Sequence, residues 1–128
     1  MSEKFQIINA SAGSGKTFSL ATNVIIRILK GNEDSFKKIL ALTFTNNSAN
    51  EMKKRILEDL KQISIDPSKS LIFRSSNLNK LFTIDSIKPK AKKVLNKILH
   101  NFSFFQVSTI DKFNHRLIRS FSSDLSLS

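Results

Sequence analysis

Apolar residues fall along this chain in short unbroken runs that alternate with longer stretches of helical period. Phe5 to Asn9, FQIIN, is the first short apolar run, of the kind seen in a strand buried in a parallel sheet. After a stretch of small residues, Leu20, Ala21, Val24, Ile25, Ile28 and Leu29 recur at helical spacing. That helix is predicted to stop at KGN, where Gly31 can take a left-handed C-terminal conformation. Ile39 to Phe44 reads as a second buried strand. A Thr/Asn cluster follows, and Ser48 to Glu51, SANE, has the form of a capping box that satisfies orphan amides at a helix start. Ala49, Met52, Ile56, Leu60 and Ile63 then make one apolar stripe, with Lys53, Lys54 and Arg55 mostly off it.

From Asp66 to about Ser86 the pattern weakens into Ser, Asn and Lys, and Pro67 breaks the preceding helix. This stretch is read as a variable insertion, around residues 66–86, with one short helix near Leu78 to Phe82. Periodicity returns at Ala91, Val94, Leu95, Ile98, Leu99 and Phe102, a helix in which Pro89 is tolerable only in the first turn. Phe104 to Ile110 is a third strand candidate. Asp111 is expected to cap a last helix that turns Phe113, Leu117, Ile118 and Phe121 inward, with Arg116 and Arg119 on other faces. Strands alternating with helices predict an α/β fold with a parallel sheet and right-handed crossovers. The tripeptide TID occurs twice, at Thr83 and Thr109, which in so biased a composition is coincidence.

Composition narrows the class. The 128 residues suffice for one domain with a core and not for two. With no cysteine there is no disulfide or thiolate metal site, and His100 and His115 lack the spaced partners of a zinc site. There is no secretory core and no apolar run near the ~20 residues of a membrane span, so a cytoplasmic protein without a membrane partner is expected. A formal charge of +11 favours phosphate-bearing partners, although solvated lysine faces would give the same number.

The stretch from Ala10 to Thr17, ASAGSGKT, follows the first predicted strand and opens the first predicted helix. A loop in that position points free amides and the positive end of the helix dipole at whatever occupies the turn. Gly13 and Gly15 let the backbone curl into an anion-binding nest, together with Ala10, Ser11, Ala12 and Ser14. Lys16 can reach terminal phosphates and the Thr17 hydroxyl can ligate Mg2+, which makes ATP with Mg2+ the expected ligand. The pattern is G-x-x-x-x-G-K-[ST] with Ala10 at its first position, a small enough residue to serve.

Taken with ALTFTNNSANEMKKRI, Ala41 to Ile56, and VSTIDKFNHRLIRSF, Val107 to Phe121, this loop makes the chain resemble the start of a UvrD/Rep-type superfamily 1 DNA helicase. The likeness is closest to the RecB and AddA branch, and its three motifs appear in family order. It implies a partial RecA-like P-loop NTPase fold over residues 1–128, with Lys16 and Thr17 as the catalytic nucleotide contacts. It also implies that Phe44, Thr45 and Asn46, and further on Thr109 and Phe113, lie in or beside a channel for single-stranded DNA. Such contacts hold a backbone without reading sequence, and Phe44 can stack on a base or belong to the core. Many members carry His where this chain has Asp111. A carboxylate beside DNA is repulsive unless it caps a helix, so capping is assigned to Asp111 first.

The same resemblance implies a parent motor in DNA repair, partnered by a second RecA-like domain and by a nuclease that is either a further domain or a separate chain. A working motor needs an acidic pair for magnesium and water, and arginines at the γ-phosphate. No apolar strand here ends in Asp-Glu, and VSTID is followed by Lys112 where a Glu is needed. The expectation is therefore an N-terminal piece of a larger helicase, a fragmentary gene product or a cut piece, inactive by itself. The alternatives are a nucleotide kinase, disfavoured because Asp66 to Ser86 holds a single arginine, Arg74, and a non-catalytic basic module that binds nucleic acid.

Overall fold

The computed structural model describes residues 6–9 and 14–124, with side chains from Leu20 to Ser122. Three parallel strands, β1 (Gln6–Asn9), β2 (Ile39–Thr43) and β3 (Gln106–Thr109), form a sheet in the order β1-β2-β3. Asn9 pairs with Leu42, Leu42 with Ser108, and Thr43 with Thr109. The strands are linked by α1 (Ser14–Lys30) and then by α2 (Asn46–Ile65), α3 (Leu71–Ser75), α4 (Leu78–Leu81) and α5 (Ile84–His100). A last helix, α6 (Ile110–Asp124), leaves β3. Successive right-handed crossovers in one direction put α1, α2 and α5 on one face of the sheet, where they pack on each other. The α/β architecture with a parallel sheet is the one the sequence predicts.

The apolar stripes meet as expected, except that Leu99 and Phe102 of the α5 pattern are exposed and Phe102 lies beyond the helix. Ile25, Ile28 and Leu29 of α1, Met52, Ile56 and Leu60 of α2, and Ala91, Val94 and Ile98 of α5 form one buried cluster. Ile39 and Ala41 of β2 join it from the sheet. Leu40 and Leu42, on the opposite face by strand alternation, are buried as well, the signature of a central strand.

Several local expectations are corrected. Gly31 ends α1 without a left-handed backbone; a Cβ there would lie 2.6 Å from Cβ and Oγ of Ser35, so the residue is small because the chain turns back on itself. The Lys90 ammonium donates to the Gly31 carbonyl at 2.6 Å and serves the negative end of α1. α2 starts a turn earlier than SANE implies: Thr45 is its N-cap, accepting from the Ser48 amide at 3.1 Å. α5 begins at Ile84, where Thr83 and Ser86 exchange side-chain bonds to each other's amides at 3.1 and 2.9 Å. Pro89 therefore lies inside the helix, past the first turn. Its missing amide leaves the Asp85 carbonyl without its usual helical partner, and Asp85 is exposed to water.

The polar segment after Asp66 holds two short helices where one was expected. Ser70 caps α3 by accepting from the Phe73 amide at 3.2 Å, and Ile72, Phe73 and Leu78 are buried in the main cluster. Lys93, at the end of KPKAKK, stays largely exposed with its ammonium 3.9 Å from Glu33, and Lys97, one turn on, lies 3.5 Å from the same carboxylate.

Candidate functional site

All three strands run the same way, so their C-terminal ends lie along one edge of the sheet, each leading into a helix. At a strand spacing of about 4.8 Å, the end of β1 is roughly 5 Å from that of β2 and roughly 10 Å from that of β3. Open α/β sheets deliver ligand contacts at this edge.

At β1 the backbone enters α1 at Ser14, so Ser14, Gly15, Lys16 and Thr17 are its first turn. Ala10, Ser11, Ala12 and Gly13 lie outside the described residues, as do the side chains of Lys16 and Thr17. The first amides of α1 have no partner within the helix, and the first turn contains no acidic residue. An unopposed positive helix end behind a parallel strand fits a polyphosphate.

At β2 the strand stops at Thr43 and Phe44 follows it, 61% exposed. The ring is thus in solvent and not in the core. The turn that presents it is braced on both sides. The Thr43 hydroxyl donates to the Thr45 carbonyl at 3.1 Å, and the Thr45 hydroxyl, while accepting from the Ser48 amide, donates to Ser48 Oγ at 2.9 Å. Asn46, the first residue of α2, is exposed beside it.

At β3, Thr109 is buried, 5% exposed, and its hydroxyl accepts from the Lys112 amide at 3.2 Å. Thr109 therefore caps α6, the role the sequence assigns to Asp111. Asp111 sits in the first turn, exposed, where its charge suits the helix dipole. Phe113 is half-buried, but Leu117, Ile118 and Phe121 are 52%, 62% and 65% exposed, against the inward orientation expected of them. The side of α6 turned to the body is the polar one.

That polar side and α2 enclose a cleft of about 640 Å³ with β3 at its floor. Lys53 of α2 and Lys112, His115, Arg116 and Arg119 of α6 line it, and among the described residues no carboxylate does. Asn46 and Thr109 reach its upper end. The structure thus brings together Asn46, Thr109 and several cations of the second and third motif segments, Lys53, Lys112, Arg116 and Arg119. Their signal in the sequence is the spacing of Lys112, Arg116 and Arg119 at i, i+4 and i+7.

Two carboxylates elsewhere titrate abnormally. Burial pushes the Asp59 carboxyl up, partly offset by Arg55. The Ser68 hydroxyl, donating to Asp66 at 2.6 Å, holds that carboxyl below its ordinary value.

Residues 2–127 match the family described as UvrD/REP helicase N-terminal domain. The chain is 36% identical over 121 residues to the RecBCD enzyme subunit RecB of Chlamydia trachomatis serovar D, covering 94% of this chain and 11% of that protein. It is 48% identical over 62 residues to the RecBCD enzyme subunit RecB of Chlamydia muridarum, covering 48% of this chain and 6% of that one. To an ATP-dependent helicase/nuclease chain of Streptococcus uberis it is 30% identical over 112 residues, 88% of this chain and 8% of the other. The chain thus spans about a tenth or less of the length of these relatives. No solved structure matches it.

Proposed function

The chain belongs to the UvrD/REP helicase N-terminal domain family, and from that premise we propose that it is the nucleotide-binding and leading strand-binding part of an ATP-dependent DNA helicase, of the helicase-nuclease type. The observation that carries the reading is the match over residues 2–127 of a chain whose GSGKT opens α1 behind a parallel strand.

Bound ATP with Mg2+ would supply the free energy of γ-phosphate cleavage. The residues that would hold it are Ala10 to Thr17: backbone amides on the phosphates, the Lys16 ammonium neutralising their charge, and the Thr17 hydroxyl on the metal. Phe44, Thr45 and Asn46 would take single-stranded DNA at the neighbouring strand end, with Phe44 offering its exposed ring to a base. Thr109 serves there by holding the start of α6, and Phe113 by backing it. Residues 1–128 act as one unit in this reading, with 66–86 as an inserted wedge against the core. The acidic pair and the arginines of hydrolysis are assigned to parts of the motor outside these residues, the arginines to a second RecA-like domain, and strand cleavage to a nuclease domain or a separate nuclease chain. Among the described residues no helix is long and apolar enough to cross a membrane, and the cytoplasm is where the DNA substrate lies.

Titration with a fluorescent ATP analogue and Mg2+ tests the reading. Saturable binding lost by at least about tenfold in Lys16→Ala is expected, since a charged phosphate contact is removed. DNA-stimulated steady-state ATP hydrolysis by this chain, abolished in Lys16→Ala, would overturn the assignment of the hydrolytic groups elsewhere. Absence of nucleotide binding would overturn the cradle itself.

A further inference from the structure

The segment between α2 and α5 has two apolar sides. Its inner side, Ile72, Phe73 and Leu78, is buried in the main cluster. Its outer side carries Ile65, Leu71, Leu81 and Ile84, exposed at 61%, 53%, 55% and 45%. These are the last residue of α2, the first of α3, the last of α4 and the first of α5. The turn Pro67–Lys69 touches α2, α3 and α5, and the Asn79 side chain, donating to the Arg74 carbonyl at 3.0 Å, ties α4 to α3. The four aliphatic residues therefore share one end of the molecule, about 30 Å along α2 from Asn46 and the strand ends. Exposed aliphatic residues scattered singly are ordinary, but several gathered on elements that meet mark a contact surface. The charged residues between Ile65 and Ile84 are Lys69, Arg74, Lys80 and one acid, Asp66. Asp66 is engaged by the amide and hydroxyl of Ser68 at 3.2 and 2.6 Å. Arg74 and Lys80 are exposed and pair with no carboxylate among the described residues.

We propose that this end of the molecule docks a protein partner through an acidic amphipathic helix, its aliphatic residues on Ile65, Leu71, Leu81 and Ile84 and its carboxylates on Arg74 and Lys80. The surface lies outside the three motifs and goes beyond the nucleotide and strand reading. Unpaired cations beside the aliphatic residues call for an acidic occupant, and a helix offers carboxylates flanking an apolar stripe within one short segment. Other anionic occupants fit less well. A nucleic acid strand gains from aromatic rings that stack its bases, and all four exposed side chains are aliphatic. An anionic lipid surface takes an amphipathic helix laid in its plane, and α3 and α4 are five and four residues long. A second copy of the chain would bring its own formal charge of +11 against the first.

The test uses the 128-residue chain and a fluorescein-labelled helical peptide with leucines at i, i+3, i+4 and i+7 and glutamates on the flanks, followed by anisotropy. Saturable binding is expected, weakened at least about tenfold by Leu71→Ser with Leu81→Ser, because apolar anchors carry most of such a contact. Melting curves check the fold of that variant, and a second pair, Arg74→Glu with Lys80→Glu, alters exposed charges alone. The second pair is expected to lose the peptide and to bind a version with lysine in place of glutamate. Two reversals leave a chain of formal charge +11 cationic, so only a local contact can invert the preference. Failure of the unsubstituted chain to bind the peptide would overturn the proposal, as would unchanged affinity in the charge-reversed pair. Equal binding of a peptide with serine in place of leucine would also overturn it, because net charge would then be the attraction. Binding of phosphatidylserine vesicles or of oligothymidylate that is lost in the Leu71→Ser, Leu81→Ser variant would assign the surface to a membrane or a nucleic acid and reject the protein partner. Nucleotide binding is measured separately with the ATP analogue, so either reading can fail alone.

Discussion

Two lysine-rich surfaces of this molecule look alike in composition and differ in what their charges face. On α5, Lys90 donates to the Gly31 carbonyl, and Lys93 and Lys97 meet Glu33, with Asp34 also within 3.9 Å of Lys97. In the cleft, Lys53, Lys112, Arg116 and Arg119 meet no carboxylate among the described residues. Each exposed pair on α5 contributes at most about 1 kcal/mol, but together the acids beyond α1 offset the local field. Two of the four lysines of KPKAKK, Lys90 and Lys93, are thus answered from within the fold, and the cations of α6 have no carboxylate partner among the described residues. Counting basic residues would have ranked the two surfaces the other way.

The sharpest way to separate the structural surface from the one proposed to bind a strand is to damage each in turn. Ile98→Ala, at the fully buried seam where α5 meets α2, is expected to cost about 2–5 kcal/mol of stability in denaturant titration. Below the melting midpoint it should leave the salt slope of strand binding unchanged. Phe44→Ala is expected to do the reverse. Loss of a stacked base costs about 1–3 kcal/mol of binding, while the exposed ring contributes little to folding; a fall in stability with unchanged binding would return Phe44 to a structural role. Thr109→Ala removes the cap of α6 and is expected to cost about 1 kcal/mol, with binding weakened only through fraying of the helix that carries the cleft cations.

The smallest effects come from acid. The Asp66 carboxyl is held low, so its contribution is present above the ordinary carboxylate range and is lost as pH falls through its folded value. Asp66→Asn should therefore destabilise at neutral pH and become silent in acid. Asp59 has the opposite sign, because its buried charge penalises the folded state until it is protonated. Asp59→Asn should raise the melting midpoint at pH 7, and the gain should close as pH falls through its raised folded value.

Much of the fold was legible because buried stripes are written at fixed periods. The stripes of α1 and α2, the inner positions Ala91, Val94 and Ile98 of α5, and the unbroken run of β2 could all be read directly. The helix starts were not, because several hydroxyls near each start fit a cap equally well. The choice of Thr45 over Ser48 follows from where β2 stops, which is a property of the sheet. Ile72, Phe73 and Leu78 were hidden by polar neighbours in a segment whose helices are too short to show a period. For α6 the amphipathic pattern was visible and its direction was not. An apolar stripe says that a helix has a partner, not on which side of it the described residues lie. The stretch ASAGSGKT was legible as a motif, with Ala10 to Gly13 outside the described residues, and the cleft was not, because the helices that wall it are more than fifty positions apart.

The hydroxyl of Thr43, a residue only 1% exposed, stands between the Thr45 carbonyl at 3.1 Å and the Ser108 carbonyl at 3.4 Å. One proton shared by two oxygens ties the Phe44 turn to the neighbouring strand. The turn that carries Phe44 and the end of β3 thus share one hydroxyl, and a shift at either strand end lengthens a bond held by the other.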